Sequence, residues 1–157
     1  STAAFGGAFR ALLDAVPARR VVVSSIPPLG EASEGEAVDL VNAYNAEIRA
    51  AAEEAPGVVY APFREALGPR LPARGLGHPF DASTEGFGRV VRDLVLHRAL
   101  RAVPLGRPSF DSIAWLRGRR VLHDQIHLTE SSSAALVEVV AAALAGAAGH
   151  GGRSGWA

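Results

Sequence analysis

Apolar residues recur along the start of the chain at Phe5, Phe9, Leu12, Leu13 and Val16. That three-and-four spacing puts them on one face of a helix. Pro17 ends it, because proline lacks the donor and clashes with the preceding turn. The run from Arg20 to Ile26, RVVVSSI, is continuous rather than periodic and rich in β-branched residues. This pattern predicts a strand buried on both faces, as in a parallel sheet. Pro27, Pro28 and Gly30 close it, and the polar loop GEASEGE follows. Val38, Val41, Tyr44 and Ile48 return to helical spacing until Pro56 and Gly57. Val58 to Phe63, VVYAPF, predicts a second strand, so the order helix, strand, helix, strand indicates a βαβ unit. Residues 68–83 are dense in Gly and Pro and predict a long loop that contains His78. Phe87, Val90, Val91, Leu94 and Val95 predict a further helix to about Val103, with His97 on it. A second Pro/Gly loop, PLGRPSFDS, leads through Ile113–Trp115 to a final helix from about Glu130 to Leu144. Its apolar face is Leu136, Val139, Val140 and Leu144, with Thr129 as N-cap. The tail, residues 147–157, is Gly-rich and expected to be disordered.

Composition narrows the function classes. At 157 residues the chain has the size of one domain. Its 16 basic residues, all arginine, balance 16 acidic ones, which gives no electrostatic footprint for nucleic acid or an anionic membrane. The absence of cysteine excludes disulfides, thiolate catalysis and Cys-based metal sites. No stretch reaches the roughly 20 apolar residues of a membrane span, and the N-terminus lacks a signal-peptide pattern. The compartment stays open, with the cytoplasm as default. The chain begins without methionine, which predicts a processed, truncated or excised piece.

The chemistry concentrates in HDQIHLTE, residues 123–130. A histidine titrates near neutrality and can take and return a proton. A carboxylate on its other ring nitrogen fixes the tautomer for that task. Asp124, three residues before His127 in a tight loop ahead of a helix, is placed to do so. D-x-x-H alone is equally the pattern of a helix-capping loop. His123 reads as a packed or solvated side chain. A metal site from His123, Asp124 and His127 is possible in residue type, but the sequence shows no further convergent ligand. His78 and His97 read as structural, as do Ser24 and Ser25 at the strand end and Asn42 and Asn45 on their helix. No G-x-S-x-G elbow or phosphate-binding Gly loop is present.

DQIHLTESSSAALVEVVAAAL resembles the last block of the SGNH (GDSL-type) hydrolases, in which a D-x-x-H loop supplies two members of a Ser-His-Asp triad. GRPSFDSIAWLRGRRVL is similar to the approach to that block, VVVSSIPPLG to the fourth strand, and YNAEIRAAAEEAPGVVYAPF to the helix and strand that follow. The likeness spans roughly residues 3–146, and only the D-x-x-H block is specific. It implies a flavodoxin-like three-layer α/β/α fold with a parallel sheet, of which residues 1–146 are the C-terminal half: two main strands with flanking helices. It implies His127 as general base and then acid, Asp124 as its orienting carboxylate, a small-molecule, lipid or sugar ester as substrate, and no cofactor.

Two departures qualify this. The family often has a glycine near Ser132. More important, its nucleophile lies in a GDS motif, and its oxyanion hole draws on a Gly and on the Asn of GxND. Neither motif occurs in these residues. The expectation is therefore a serine esterase arm without its nucleophile; the alternative is a non-catalytic binding or assembly domain on the same fold. Two parallel strands also leave a sheet edge open and apolar, which predicts association with a complementary segment or a second copy, or poor folding alone.

Overall fold

The computed structural model describes residues 1–71, 79–102 and 108–150. Residues 72–78 of the 68–83 loop, His78 among them, the PLGR part of the second loop and residues 151–157 of the expected tail lie outside them. The described residues form a mixed α/β structure with one two-stranded parallel sheet and six α-helices, in the order α1 (Thr2–Ala15), β1 (Val21–Ser24), α2 (Glu36–Glu54), β2 (Val58–Ala61), α3 (Phe63–Leu67), α4 (Thr84–Ala102), α5 (Phe110–Leu116) and α6 (Glu130–His150). None of the described helices is long and apolar enough to cross a membrane.

The strands pair in the register Val21↔Val58 to Ser24↔Ala61. Gly57 makes the approach to β2 possible: its φ is 78°, and a Cβ there would lie 2.8 Å from the Arg19 carbonyl oxygen. Helix α2 turns Val38, Val41, Asn45, Ile48 and Ala52 inward at helical spacing. It packs on β2 and carries α1 on its other flank, where Phe5 meets Tyr44 edge-on at 4.7 Å. Helix α6 packs against both strands and α3. The core cluster of Phe63, Leu67, Val121, Leu122 and Ala135 lies where α3 and α6 meet the segment before the histidine loop.

Several expectations need correction. The strands are only partly buried rather than covered on both faces, because each has an outer edge that no described strand pairs with. The second strand stops at Ala61, since Pro62 has no donor for the ladder; Phe63 instead opens α3, whose Arg64 amide donates to Ser25 Oγ (2.8 Å). PSFDS does not remain loop: Ser109 Oγ accepts the Ser112 amide (3.0 Å) and starts α5. Helix α6 runs past Leu144 to His150, over the first residues of the expected tail, where alanines favour the helix and Gly146 and Gly149 do not stop it.

The largest difference concerns α4. Its apolar residues were expected inside, yet Phe87, Val91 and Val95 are exposed. The buried face is Gly86, Val90, Asp93 and His97, spaced 4, 3 and 4 residues apart. Asp93 holds Arg117, and His97 meets the histidine loop, so polar pairing sets the rotation of this helix.

Candidate functional site

The segment 121–129 closes on itself as a narrow loop. Leu122 bridges Leu128, the Thr129 amide donates to the Val121 carbonyl (3.0 Å), and the His123 amide donates to the His127 carbonyl (3.0 Å). Val121 and Leu122 anchor its base in the core. Beyond the neck, Thr129 starts α6: its hydroxyl accepts the Ser132 amide (3.3 Å) and its carbonyl the Ser133 amide (2.9 Å). Asp111 ties α5 to the same helix start by accepting from the Ser131 amide and hydroxyl.

Within the loop, the D-x-x-H spacing follows from what Asp124 bonds. Its Oδ1 accepts the amides of Ile126 and His127, each at 2.7 Å, which shapes the turn. Its Oδ2 lies 2.7 Å from His127 Nδ1. The side chain of Asp124 is 0% exposed, whereas that of His127 is 50% exposed. Burial pushes the Asp124 carboxyl up, but the bonds from the His127 and Ile126 amides and from the His127 ring outweigh it and hold the group below the usual carboxylate range. Asp124 is therefore a buried anion at neutral pH, and an anion at Nδ1 makes that nitrogen the protonated one of the neutral ring. Nε2 is left as the basic atom on a half-exposed ring.

A carboxylate absent from the sequence reading holds this loop to the exit of β1. Glu31 is buried, and its Oε1 accepts the amides of Val121 and Leu122 at 2.6 Å each while its Oε2 accepts that of Arg120 at 2.8 Å. Gly30, with φ 66°, delivers it and donates its own amide to the Gln125 carbonyl (2.9 Å). Three charge-assisted bonds across about ninety residues of chain make Glu31 the brace of the site, each worth roughly 1.5–3 kcal/mol. The Gln125 side chain extends the network to the Asp81 amide (2.8 Å).

His123 is packed, as expected. Its ring stacks on Phe110 (centroids 4.3 Å apart) and, less closely, on His127 (5.6 Å). His97, fully buried on α4, meets it nitrogen to nitrogen: the two Nδ1 atoms are 3.0 Å apart. Burial lowers the pKa of both rings, so they are neutral at pH 7. Nε2 of His97 is buried without a hydrogen-bond partner among the described residues.

The remaining polar residues of the β1 exit are committed elsewhere. Ser25 Oγ donates to Glu65 (3.2 Å) and accepts from the Arg64 amide, so it caps α3. Asn45 spends both ends of its amide on Ile26, accepting at 2.7 Å and donating at 3.0 Å. Asn42 accepts from Arg64 Nε (3.0 Å). The cavities beside the loop, about 660 Å³ at Ser112, Trp115, Arg119 and Ser131 and about 520 Å³ at Arg89, Asp93, Arg117 and Gln125, do not include His127 in their walls. The structure thus joins Asp124 to His127 and joins neither to a serine or an asparagine among those considered.

No protein-family model matches the chain, and neither the curated proteins nor the solved structures searched match it.

Proposed function

We propose that Asp124 and His127 are the acid–base arm of a serine ester hydrolase of the SGNH type, built on a flavodoxin-like three-layer α/β/α domain whose nucleophile and oxyanion donors come from outside these residues. The observation that carries this reading is the asymmetry of the pair: a fully buried carboxylate bonded at 2.7 Å to one nitrogen of a ring that is half exposed. A capping loop needs the Asp124 bonds to the turn amides; it has no use for a histidine held by its ring.

In this reading His127 Nε2 takes the proton of the attacking serine hydroxyl as the acyl carbon is attacked. It returns that proton to the departing alcohol, leaving an acyl-serine. The ring then takes a proton from the water that attacks the acyl carbon and gives it to the serine oxygen as the acid departs. Asp124 stays ionised throughout and stabilises the imidazolium formed in each half. The substrate is a carboxylic ester of a small molecule, lipid or sugar.

The test is a polypeptide that contains this chain together with a GDS- and GxND-bearing segment. It should hydrolyse p-nitrophenyl acetate and be labelled by a fluorophosphonate on the serine of that segment. His127→Ala should lower kcat by about 10⁴-fold or more. The present chain alone should not be labelled, because its best-placed strand-end hydroxyl, Ser25, is buried and bonded. Strong labelling within these 157 residues would overturn the claim that the nucleophile lies elsewhere.

One observation favours a second reading, a non-catalytic binding or assembly domain. Helix α4 presents Phe87, Val91 and Val95 outward, Phe87 with 65% of its surface exposed, and no described strand pairs with the outer edge of either strand. In that case the combined polypeptide associates but turns over no ester.

A further inference from the structure

The carboxylate of the dyad has two histidine rings beside it. Oδ2 of Asp124 lies 2.7 Å from His127 Nδ1 and 3.8 Å from His123 Nδ1. A proton on His123 Nδ1 would face the same oxygen that orients His127. What that nitrogen meets instead is α4: His97 Nδ1 sits 3.0 Å from it, with both rings buried. Two neutral imidazoles facing at this distance hold one proton between them, since two bare nitrogens or two N–H groups repel. The position of that proton decides how much of Asp124 is left to His127.

Burial decides it. If His123 donated, the neutral His97 ring would carry its own proton on Nε2, which is buried with no hydrogen-bond partner among the described residues. That would orphan an N–H group in the core, a rare and costly arrangement. If His97 donates, Nε2 is a bare lone pair, and an unpaired acceptor is better tolerated than an unpaired donor. Asp124 does not reverse the choice. At 3.8 Å it is beyond hydrogen-bond reach of His123, and it already accepts from two amides and the His127 ring. We propose that His97 donates its Nδ1 proton to His123 Nδ1 and is thereby a positioning residue for His127, because it occupies the neighbouring ring nitrogen that competes for Asp124.

His123 then keeps its own proton on Nε2 and stays uncharged against Phe110 at 4.3 Å and His127 at 5.6 Å. In the proposed reaction His127 passes through an imidazolium, and a second cation stacked on it would oppose that charge. The surroundings keep the pair neutral. His97 faces Arg117, Asp93, Asp124 and Arg119, and His123 faces Asp124, His127 and Glu130; burial, ahead of all these charges, lowers both pKa values. The proton assignment stands on this geometry alone, whereas its effect on turnover rests on the esterase reading.

Nitrogen-15 NMR of the chain at neutral pH reads the assignment directly. The expected result is His97 protonated at Nδ1 and bare at Nε2, His123 the reverse, and a scalar coupling between the two Nδ1 nuclei across the hydrogen bond. His97→Phe should free His123 Nδ1 to take a proton and turn it toward Asp124, which shifts the His127 Nδ1–H resonance upfield. His97→Asn, whose amide nitrogen falls near the place of Nδ1, should restore both signals. A merely structural role for His97 would move neither. In the combined polypeptide, His97→Phe should lower kcat about 10-fold at unchanged KM, and His97→Asn should recover most of the loss. A proton found on His97 Nε2 or on His123 Nδ1 overturns the proposal, as does a His127 resonance unmoved in His97→Phe. Should His97→Phe fail to fold, the tautomers of the unmodified and His97→Asn chains decide instead. The expected tautomers in a combined polypeptide that turns over no ester would remove the esterase reading and leave the proton assignment intact. The opposite tautomers in an active enzyme would do the reverse.

Discussion

At the end of β1, Ser25 has its proton on Glu65 and accepts the Arg64 amide, and it is sealed from solvent. In the loop before α6, His127 has one nitrogen on a buried carboxylate and leaves the rest of a half-exposed ring in water. Both are polar residues of reactive type at the end of an ordered segment. Ser25 spends its hydroxyl on holding backbone, whereas His127 is itself held and keeps an atom free. The difference separates a structural polar group from a chemical one more sharply than residue type or position does. It also explains the deep bracing of the histidine loop: a free basic nitrogen is useful only when the rest of the ring is fixed.

The comparison makes unequal demands on stability. The largest expected loss comes from Glu31→Ala, which strips the acceptor from three backbone amides, two of them in buried bonds. At about 1–3 kcal/mol per unsatisfied group, denaturant unfolding should show a loss of roughly 3 kcal/mol or more. An unchanged midpoint would mean that the loop is held by its own neck and core residues. Ser25→Ala should cost less, about 1–2 kcal/mol, for one lost cap and one lost carboxylate contact. His127→Ala, by contrast, removes one of the three bonds that the buried Asp124 carboxylate accepts and should cost about 1 kcal/mol. If His127→Ala proves as destabilising as Glu31→Ala, the ring is a structural brace rather than a group held for chemistry.

A smaller, pH-dependent effect sharpens the same picture. His97 and His123 have folded-state pKa values lowered chiefly by burial. Their neutral forms are favoured in the folded chain, so their contribution is fully present above the unfolded value near 6.5 and is lost as pH falls through the lower folded values. Asp124, also lowered, contributes in the same direction but in a more acidic window, below about pH 4. Unfolding free energy should therefore decline as pH falls below about 6.5, with a shallower slope in His97→Phe. An identical slope in both proteins would show that the histidine pair is not the group being titrated.

Much of the frame was legible in the sequence. The β-branched run before Pro27, the periodicity of Val38–Ile48 and the Thr129 cap all point to elements that the structure contains. D-x-x-H was legible as a contact because a three-residue separation in a tight turn keeps the carboxylate within reach of the ring. The brace was not. Glu31 is one of several acids in GEASEGE, and the amides it binds are about ninety residues away. The inward turn of His97 was not legible for a related reason: periodicity assigned the inward side to Phe87, Val90, Val91, Leu94 and Val95, and of these only Val90 is buried. Tertiary pairing of Asp93 with Arg117 and of His97 with His123 outweighs that preference.

The hydrogen-bonded ring of His127 is open to direct observation. Nitrogen-15 NMR of the neutral imidazole should find the proton on Nδ1 and a bare Nε2, with a far-downfield Nδ1–H resonance that disappears in Asp124→Asn while the fold persists. A neutral ring protonated at Nε2, with no such resonance, would remove the basic nitrogen on which the proposed chemistry depends.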